Sequence, residues 1–312
     1  MRYIQRFDSA STEQAAIDAG QLGKPYIAFI EDGQYIDWNT KDRGEDYYKN
    51  LPSTFEVLSG GVIELVAYMN DYSLLYSKDG GNTWTEHLAG FNRTTIPVNA
   101  GESIIFKRDG LCGHLYQTSH GSTTCSIGHR FTSGTTAVFN ISGNLLSMRY
   151  GDNFRNVTVL EEPVFYWMFN GCTGVNDVSH VSLPATTLFR NCYDSLFRGS
   201  RTVRAPKLPA TEGLPGQGYM AMFADCPNLV EAPELPALSM ERGNNCYTGM
   251  FENCPSLTYI KCLLEDGSVY GQHPFWVSGV SPTGTFVKHP NATWPTGNDG
   301  IPAGWTVIDA DI

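Results

Sequence analysis

An internal repeat in the second half of the chain constrains the fold more than any other feature. The doublet Met168-Phe169 recurs as Leu196-Phe197, Met222-Phe223 and Met250-Phe251, so successive Phe residues are separated by 28, 26 and 28 positions. This is the length of one solenoid coil, in which equivalent residues stack in columns. The spacing therefore predicts stacked coils over residues 161–262, with Phe, Leu and Cys lining an apolar interior.

Three further columns support the repeat. Cys172, Ser200, Cys226 and Cys254 each follow a repeat Phe at the same offset. Because Ser occupies one of these positions, the column does not require a thiol, and we interpret its cysteines as small core residues. The other two columns are Leu183-Pro184-Ala185, Leu208-Pro209-Ala210 and Leu235-Pro236-Ala237, and Cys192-Tyr193, Gly218-Tyr219 and Cys246-Tyr247.

The residues outside the repeat predict short strands and turns. Residues 9–20 have the Ser cap and Gly stop of a short helix, and Asp32-Gly33 between two apolar runs predicts a hairpin. One helix and one hairpin bury too little surface to stand alone, so residues 1–50 are predicted to dock on another protein. Strand signals then follow at short spacing, which predicts a β-sandwich over residues 51–160. They lie near residues 55–58, 62–68, 74–77, 103–107 and 136–140, and aromatic runs at 275–277, 284–287 and 304–307 predict a β-cap over 263–312.

Composition and charge exclude several classes of protein. The net charge of −11, with only 21 Lys and Arg, argues against a nucleic-acid partner. The start of the sequence has no apolar run behind Arg2 and Arg6, so we expect no signal peptide. No stretch approaches the ~20 apolar residues of a membrane span. Eight cysteines in 312 residues fit buried thiols in a reducing compartment, so we expect a protein assembled inside a cell or released by lysis.

The repeat resembles the BspA-like leucine-rich-repeat family of gut Bacteroidales and their phages, whose coils read roughly Y-x-x-M-F-x-x-C-x-x-L-x-x-A-P-x-L-P-A. This resemblance covers about a third of the chain. It implies a short leucine-rich-repeat solenoid over residues 161–262. With the segments predicted above, the fold class is mainly β: a small N-terminal helix-plus-hairpin docking segment (1–50), a β-sandwich (51–160), the solenoid (161–262) and a C-terminal β-cap (263–312). The best matching residues are Tyr219, Met222, Phe223, Cys226, Leu229, Ala232, Pro233, Leu235, Pro236 and Ala237.

Residues 23–39 are similar to short N-terminal segments on structural proteins of crAss-like phages. In such proteins a shared leader can attach the chain to the virion while the distal part varies. The resemblance implies contact with capsid or tail proteins through an aromatic hairpin. The predicted docking residues are Tyr26, Phe29, Tyr35, Ile36 and Trp38.

Residues 77–84 fit S-x-D-x-G-x-T-W, the Asp-box pattern seen on sialidase blades. In sialidases the motif builds a hairpin away from the catalytic site and recurs on several blades. Here one convincing copy is found, without the arginines and Tyr-Glu pair of a carboxylate-binding pocket. Its residue types are those that any tight hairpin requires, so we predict a turn.

Cys112, His114, His120, Cys125 and His129 lie close together in the sequence and raise the possibility of a zinc site. The spacings match no compact zinc motif, and the Gly-Ser-Thr run between them is typical of an exposed loop, so we predict no metal and no cofactor. If three chains met there along an axis, a ring of His would be the alternative. The sequence also lacks G-x-S-x-G, P-loop and H-E-x-x-H motifs, which favours a non-enzyme.

The two resemblances imply a virion structural protein, a head or tail fibre or decoration that adheres to bacterial surface glycans or proteins. The expected lack of a signal peptide, the small N-terminal segment and the lack of catalytic motifs agree with this prediction. We expect a homotrimer or homodimer exposed on the particle, without nucleic-acid or membrane contacts. The alternatives are a bacterial cell-surface adhesin with the same repeats and a carbohydrate-active enzyme that uses the Asp-box region. Loop aromatics could stack on sugars or fill pockets of a partner, or could pack on their own sandwich; they are Phe91, Tyr116, Phe131, Tyr150 and Phe154.

Overall fold

The chain divides into two compact units, Met1–Tyr47 and Tyr48–Ile312. Strands and turns dominate and helices are short, so the predicted mainly β class is confirmed. No helix within the described ranges is long and apolar enough to cross a membrane. The computed structural model describes residues 3–6, 26–29, 35–37, 45–67, 73–88, 93–109, 129–161, 163–209, 211, 213–239, 245–265 and 274–312.

The first unit contains a three-stranded sheet of order β1-β2-β3, formed by Tyr3–Arg6, Tyr26–Phe29 and Tyr35–Asp37. β1 and β2 are parallel, whereas β2 and β3 are antiparallel, with Phe29 opposite Tyr35. The predicted pairing of the two apolar runs is therefore confirmed. The predicted helix over 9–20 and the Asp32-Gly33 turn lie outside the described residues.

The N-terminal part of the second unit forms two sheets, in which every strand pair except β11–β12 is antiparallel. The larger has the order β12-β11-β4-β9-β6-β7 and the smaller the order β10-β5-β8. All five strands predicted for this region are found, within a few residues of the expected bounds. The larger sheet comprises β4 (Ser53–Ser59), β6 (Leu74–Ser77), β7 (Thr85–His87), β9 (Ser103–Arg108), β11 (Val138–Asn144) and β12 (Val175–Ser182); the smaller comprises β5 (Gly61–Ala67), β8 (Arg93–Val98) and β10 (His129–Phe131). Short helices cover Glu45–Tyr48 (α1) and Ser147–Tyr150 (α2), and a 3-10 helix covers Gly151–Asn156.

A cluster of phenyl rings joins the two sheets to the repeats. Phe55 and Phe106 of the larger sheet lie 4.9 and 5.3 Å from Phe131 of the smaller one. Phe131 in turn stacks on Phe169, the first repeat Phe, at 4.9 Å and 11°. Strand β12 also comes from the repeat region and pairs parallel with β11. The residues predicted as sandwich and repeat thus share one core, and their division near residue 160 remains a prediction.

The repeat columns form two continuous stacks of rings. Phe169, Phe197, Phe223 and Phe251 follow one another at 5.6, 5.8 and 6.2 Å, with interplanar angles of 11 to 21°. In the second stack the ring centres are 5.9, 5.5 and 6.1 Å apart, in the order Phe165, Tyr193, Tyr219 and Tyr247. All these rings are at most 1% exposed, so the prediction that the columns line an apolar interior is confirmed.

The repeats contain overlapping turns in which every fourth residue has a positive φ. One repeat has φ near 59, 54 and 67° at Asn191, Ser195 and Gly199. Alternate amides donate to the next repeat, as from Phe197 N to Met222 O at 2.9 Å. Gly, Asn, Asp and Ser suit these positions because their small or polar side chains tolerate the left-handed region. The corresponding residues of the following coils are Gln217, Ala221 and Asp225, then Asn245, Gly249 and Asn253.

The stack continues beyond Cys262, where the repeat was predicted to stop. The Trp276 ring lies 6.2 Å from Tyr247 and 6.1 Å from Phe251, so it closes both ring columns. The Phe251 amide donates to the Trp276 carbonyl at 2.8 Å, as in the preceding coils. The prediction of a cap strand at residues 275–277 is therefore wrong: these residues form another turn of the stack, in which Trp takes the place of the Met of the Met-Phe doublet.

The last sheet is parallel and has the order β13-β14-β15. Its strands are Tyr259–Cys262, Thr285–Lys288 and Thr306–Asp309. The strands predicted at 284–287 and 304–307 are therefore confirmed. Isolated parallel bridges join Arg204 to Glu231 and Glu231 to Tyr259, the first residue of β13. Parallel pairing therefore runs from one repeat to the next, as the ring columns do.

Candidate functional site

Four of the five predicted docking residues lie on β2 and β3 of the N-terminal sheet. Tyr26 and Phe29 are the end residues of β2, and Tyr35 and Ile36 lie on β3. The register places Phe29 opposite Tyr35, and Ile36 opposite Ala28. Trp38 lies outside the described residues. The strand pairing brings these positions onto one small sheet, and the docking role remains a prediction.

The Asp-box segment is a hydrogen-bonded turn between β6 and β7, so the prediction of a turn is confirmed. The Thr83 amide donates to Asp79 Oδ1 at 2.9 Å, and the Thr83 hydroxyl donates to Asp79 Oδ2 at 2.6 Å. The Thr83 hydroxyl, then the backbone and Ser77, lower the pKa of Asp79 to about 2. The Trp84 indole donates to Gly81 O at 3.0 Å. Each polar group of the motif is engaged within the turn, which accounts for the motif without a substrate.

Two of the aromatic residues predicted in ligand-binding loops are in the core. Phe131 ends strand β10 and is 0% exposed, and Phe154 lies in the 3-10 helix and is 3% exposed. Of the two alternatives left open for these residues, packing on the protein's own core is therefore the one found for both rings. Tyr150 is partly buried against the same core. Phe91 and Tyr116 lie outside the described residues.

His129 is the one member of the predicted Cys-His group that the structure describes. It lies in β10, 2% exposed, with its ring 5.2 Å from the ring of His87. Cys112, His114, His120 and Cys125 lie outside the described residues. Within the described ranges no group of three or more His, Cys, Asp or Glu is arranged to hold a metal ion.

The buried imidazoles predict a loss of stability in mild acid. Burial lowers the pKa of His87, and burial, then the charges of His87, Arg108 and Arg149, lowers the pKa of His129 to about 3. Because the folded pKa of His129 lies below the unfolded value, the unfolded chain binds protons first as the pH falls below ~6.5. His129 alone should then remove about 1.4 kcal/mol of unfolding free energy between pH 7.5 and pH 5.5.

Chemical denaturation at those two pH values measures this loss. The His129→Gln variant should lose less stability on acidification than the parent, and His180→Gln, at a partly exposed site, should match the parent. Equal acid sensitivity of the parent and His129→Gln would contradict the account.

The described cysteines are buried and make no disulfide. All six described cysteines are free, and burial raises the pKa of Cys172 and of Cys226 to about 11. The Cys226 thiol donates to Phe197 O at 3.2 Å, and Cys254 donates to Phe223 O at 3.1 Å. Protonated buried thiols are poor nucleophiles and poor metal ligands. Their interpretation as core residues is confirmed.

Three buried carboxylates are held by the protein itself. Arg93 donates to Glu64 at 2.6 Å, and the Thr132 hydroxyl, then Arg93, lowers the pKa of Glu64. Asp177 is paired with Arg204. The Asp194 oxygens accept from Ser195 at 2.8 Å and Asn191 at 3.1 Å, while burial raises the pKa of Asp194. Each carboxylate thus has its own structural partners.

Two surface features were missed in the sequence. Tyr166 stacks on Trp167 at 5.0 Å, and the Arg130 guanidinium lies 5.7 Å from the Trp167 ring centre. At the other end of the stack Phe275 is 57% exposed. Trp167 and Phe275 both have a φ of 59° and occupy the position that Ser195 and Ala221 take in the middle coils. Ser195 and Ala221 are buried at that position, so the shared position alone did not signal exposure; what distinguishes Trp167 and Phe275 is that they lie in the first and last repeats.

Comparison with known protein families, curated proteins and solved structures found no match. A function for this chain therefore has to be argued from its own residues.

Proposed function

We propose that the protein is a non-enzymatic structural protein of a phage particle, a head or tail fibre or decoration that presents a repeat domain to the host surface. In this proposal the two facing sheets form a β-sandwich and the stacked coils a BspA-like leucine-rich-repeat solenoid. Residues 1–50 would bind capsid or tail proteins. The outer part would contact bacterial surface glycans or proteins, in a homotrimer or homodimer.

The observation that carries the proposal is the unbroken stack of rings from the sheets to the last coil. Phe131 stacks on Phe169 at one end, and Trp276 closes the columns at the other. Trp294 then stacks on Trp276 at 5.4 Å. Interiors packed in this way deform little, so the unit Tyr48–Ile312 is suited to hold its far end at a fixed position. A rigid unit joined to a small separate unit is the arrangement expected of a displayed domain with an attachment segment.

Exposed apolar residues near the C-terminus support an adhesive role. Phe275, Ile308 and Ile312 are 57, 49 and 73% exposed, and all four residues of β15 are exposed. Large exposed apolar side chains favour contact with a partner. Salt bridges between successive repeats, such as that between Glu234 and Lys261 at 3.0 Å, join parts of the protein to each other and do not support the adhesive role.

Deleting residues 1–47 tests the attachment role. The remainder keeps its own core and should stay folded and soluble, but should be lost from purified particles by at least tenfold relative to the full chain. Quantitative mass spectrometry of particles made with each gene measures the incorporation. Phe275→Ala, far from the deleted unit in sequence, is the matched control and should be incorporated normally.

Normal incorporation of the deleted chain would contradict attachment through this segment. Absence of the full chain from particles, with recovery from the bacterial surface, would favour the cell-surface adhesin instead.

A further inference from the structure

Two stacked tyrosines carry buried hydroxyl groups without a protein partner. Tyr193 is 0% and Tyr219 1% exposed, and neither hydroxyl has a hydrogen-bond partner among the described residues. An unpaired buried hydroxyl is costly, whereas Phe fits the same column, as Phe165 does in the first coil. Tyrosine in consecutive coils therefore needs a physical explanation.

The spacing of these two rings supplies one. The ring centres of Tyr193 and Tyr219 are 5.5 Å apart and their planes differ by 11°. The two residues occupy the same position in consecutive repeats, so we take the separation of their ring centres as a guide to the separation of their hydroxyl oxygens. An oxygen midway between them would lie about 2.8 Å from each, which is an ordinary O–H···O distance. The next gap, from Tyr219 to Tyr247, is 6.1 Å and would give about 3.1 Å, at the long end of the range.

We propose that one water molecule is bound between the hydroxyls of Tyr193 and Tyr219 and links these two coils. Water suits the site because it can donate to one hydroxyl and accept from the other. A metal cation would need more oxygen ligands than two neutral hydroxyls. Burial, then the Cys192 thiol, raises the pKa of both tyrosines, which keeps each hydroxyl protonated and able to donate.

Tyr→Phe substitutions in the full chain test the site, because a hydrated and a dry hydroxyl predict opposite effects. If water is bound, Tyr193→Phe and Tyr219→Phe each remove one of its contacts, and the unfolding equilibrium constant should rise about five- to tenfold. The double variant should cost little more than either single one, because the first substitution already releases the water. Tyr76→Phe, at a partly buried ring, is the matched control and should be near neutral.

A crystal structure at high resolution should show a single peak about 2.8 Å from both hydroxyl oxygens. The proposal is overturned if that peak is missing, if either single variant is neutral or more stable than the parent, or if the two effects add. These outcomes are independent of whether the protein joins phage particles.

Discussion

Truncating Phe223 to Ala is expected to lower the free energy of unfolding by about 3–5 kcal/mol. The ring is 0% exposed and stacks between Phe197 at 5.8 Å and Phe251 at 6.2 Å. Its removal would leave a cavity in the middle of the column, where the coils on either side are held by backbone hydrogen bonds and cannot collapse to fill it. Denaturant-induced unfolding, followed by tryptophan fluorescence, measures the change.

Phe275→Ala is the control for this truncation. Phe275 has the same side chain and belongs to the same stack, but it is 57% exposed. Its truncation should change the unfolding free energy by about 0.5 kcal/mol or less. A loss below about 1 kcal/mol for Phe223→Ala would mean that the Phe column is not the core of the repeats.

The second large effect is expected at Gly143, where β11 approaches the segment before β4. Gly143 has a φ of +80°, and a Cβ added there would lie 2.2 Å from the Pro52 carbonyl oxygen. Because that oxygen belongs to the backbone, Gly143→Ala must displace the larger sheet as well as strain the residue. We expect it to cost about 3 kcal/mol or more, from the left-handed strain plus the displacement.

Gly101→Ala separates the two causes. Gly101 has a φ of +84°, but a Cβ there would meet nothing within 4 Å. Only the left-handed strain applies, so the expected cost is about 1 kcal/mol. Both variants can be measured by the same denaturation experiment. Equal costs for Gly143→Ala and Gly101→Ala would show that Gly143 does not make the close approach described above.

Much of the local structure could be predicted because the relevant signals are local. Alternating apolar residues identified β4, β5, β6, β9 and part of β11, and the Asp79 turn could be deduced from its residue types. β12 was missed because its parallel pairing with β11 joins segments distant in the chain, such as Phe139 with Val175. No local pattern encodes such a partner.

The end of the repeat was misplaced for a different reason. The Met-Phe doublet defines the repeat in the sequence, and Trp276 takes the Met position without a Phe after it. The left-handed positions carry a second signal, since Gly171, Gly199, Asp225, Asn253 and Gly279 recur with the same spacing as the repeat Phe residues. That column was present in the sequence, and it extends the repeat to Gly279.

The candidate binding residues were the least predictable. Whether an aromatic residue outside a predicted strand faces solvent depends on what packs over it, and Phe131 and Phe154 are covered by elements distant in sequence. The predicted docking residues Tyr26, Phe29, Tyr35 and Ile36 could be placed on paired strands, but a docking role would depend on another molecule, which the strand pattern does not describe. Local sequence therefore predicted the pairing of the two strands and left their role a proposal.

Cryo-electron microscopy of purified phage particles from a host that carries this gene, with mass spectrometry of the same particles, tests the central claim most directly. We predict peptides of this chain in the particles. We also predict density for a stacked unit attached to the capsid or tail through residues 1–47. Particles that package genomes and infect normally but contain none of this chain would contradict the claim.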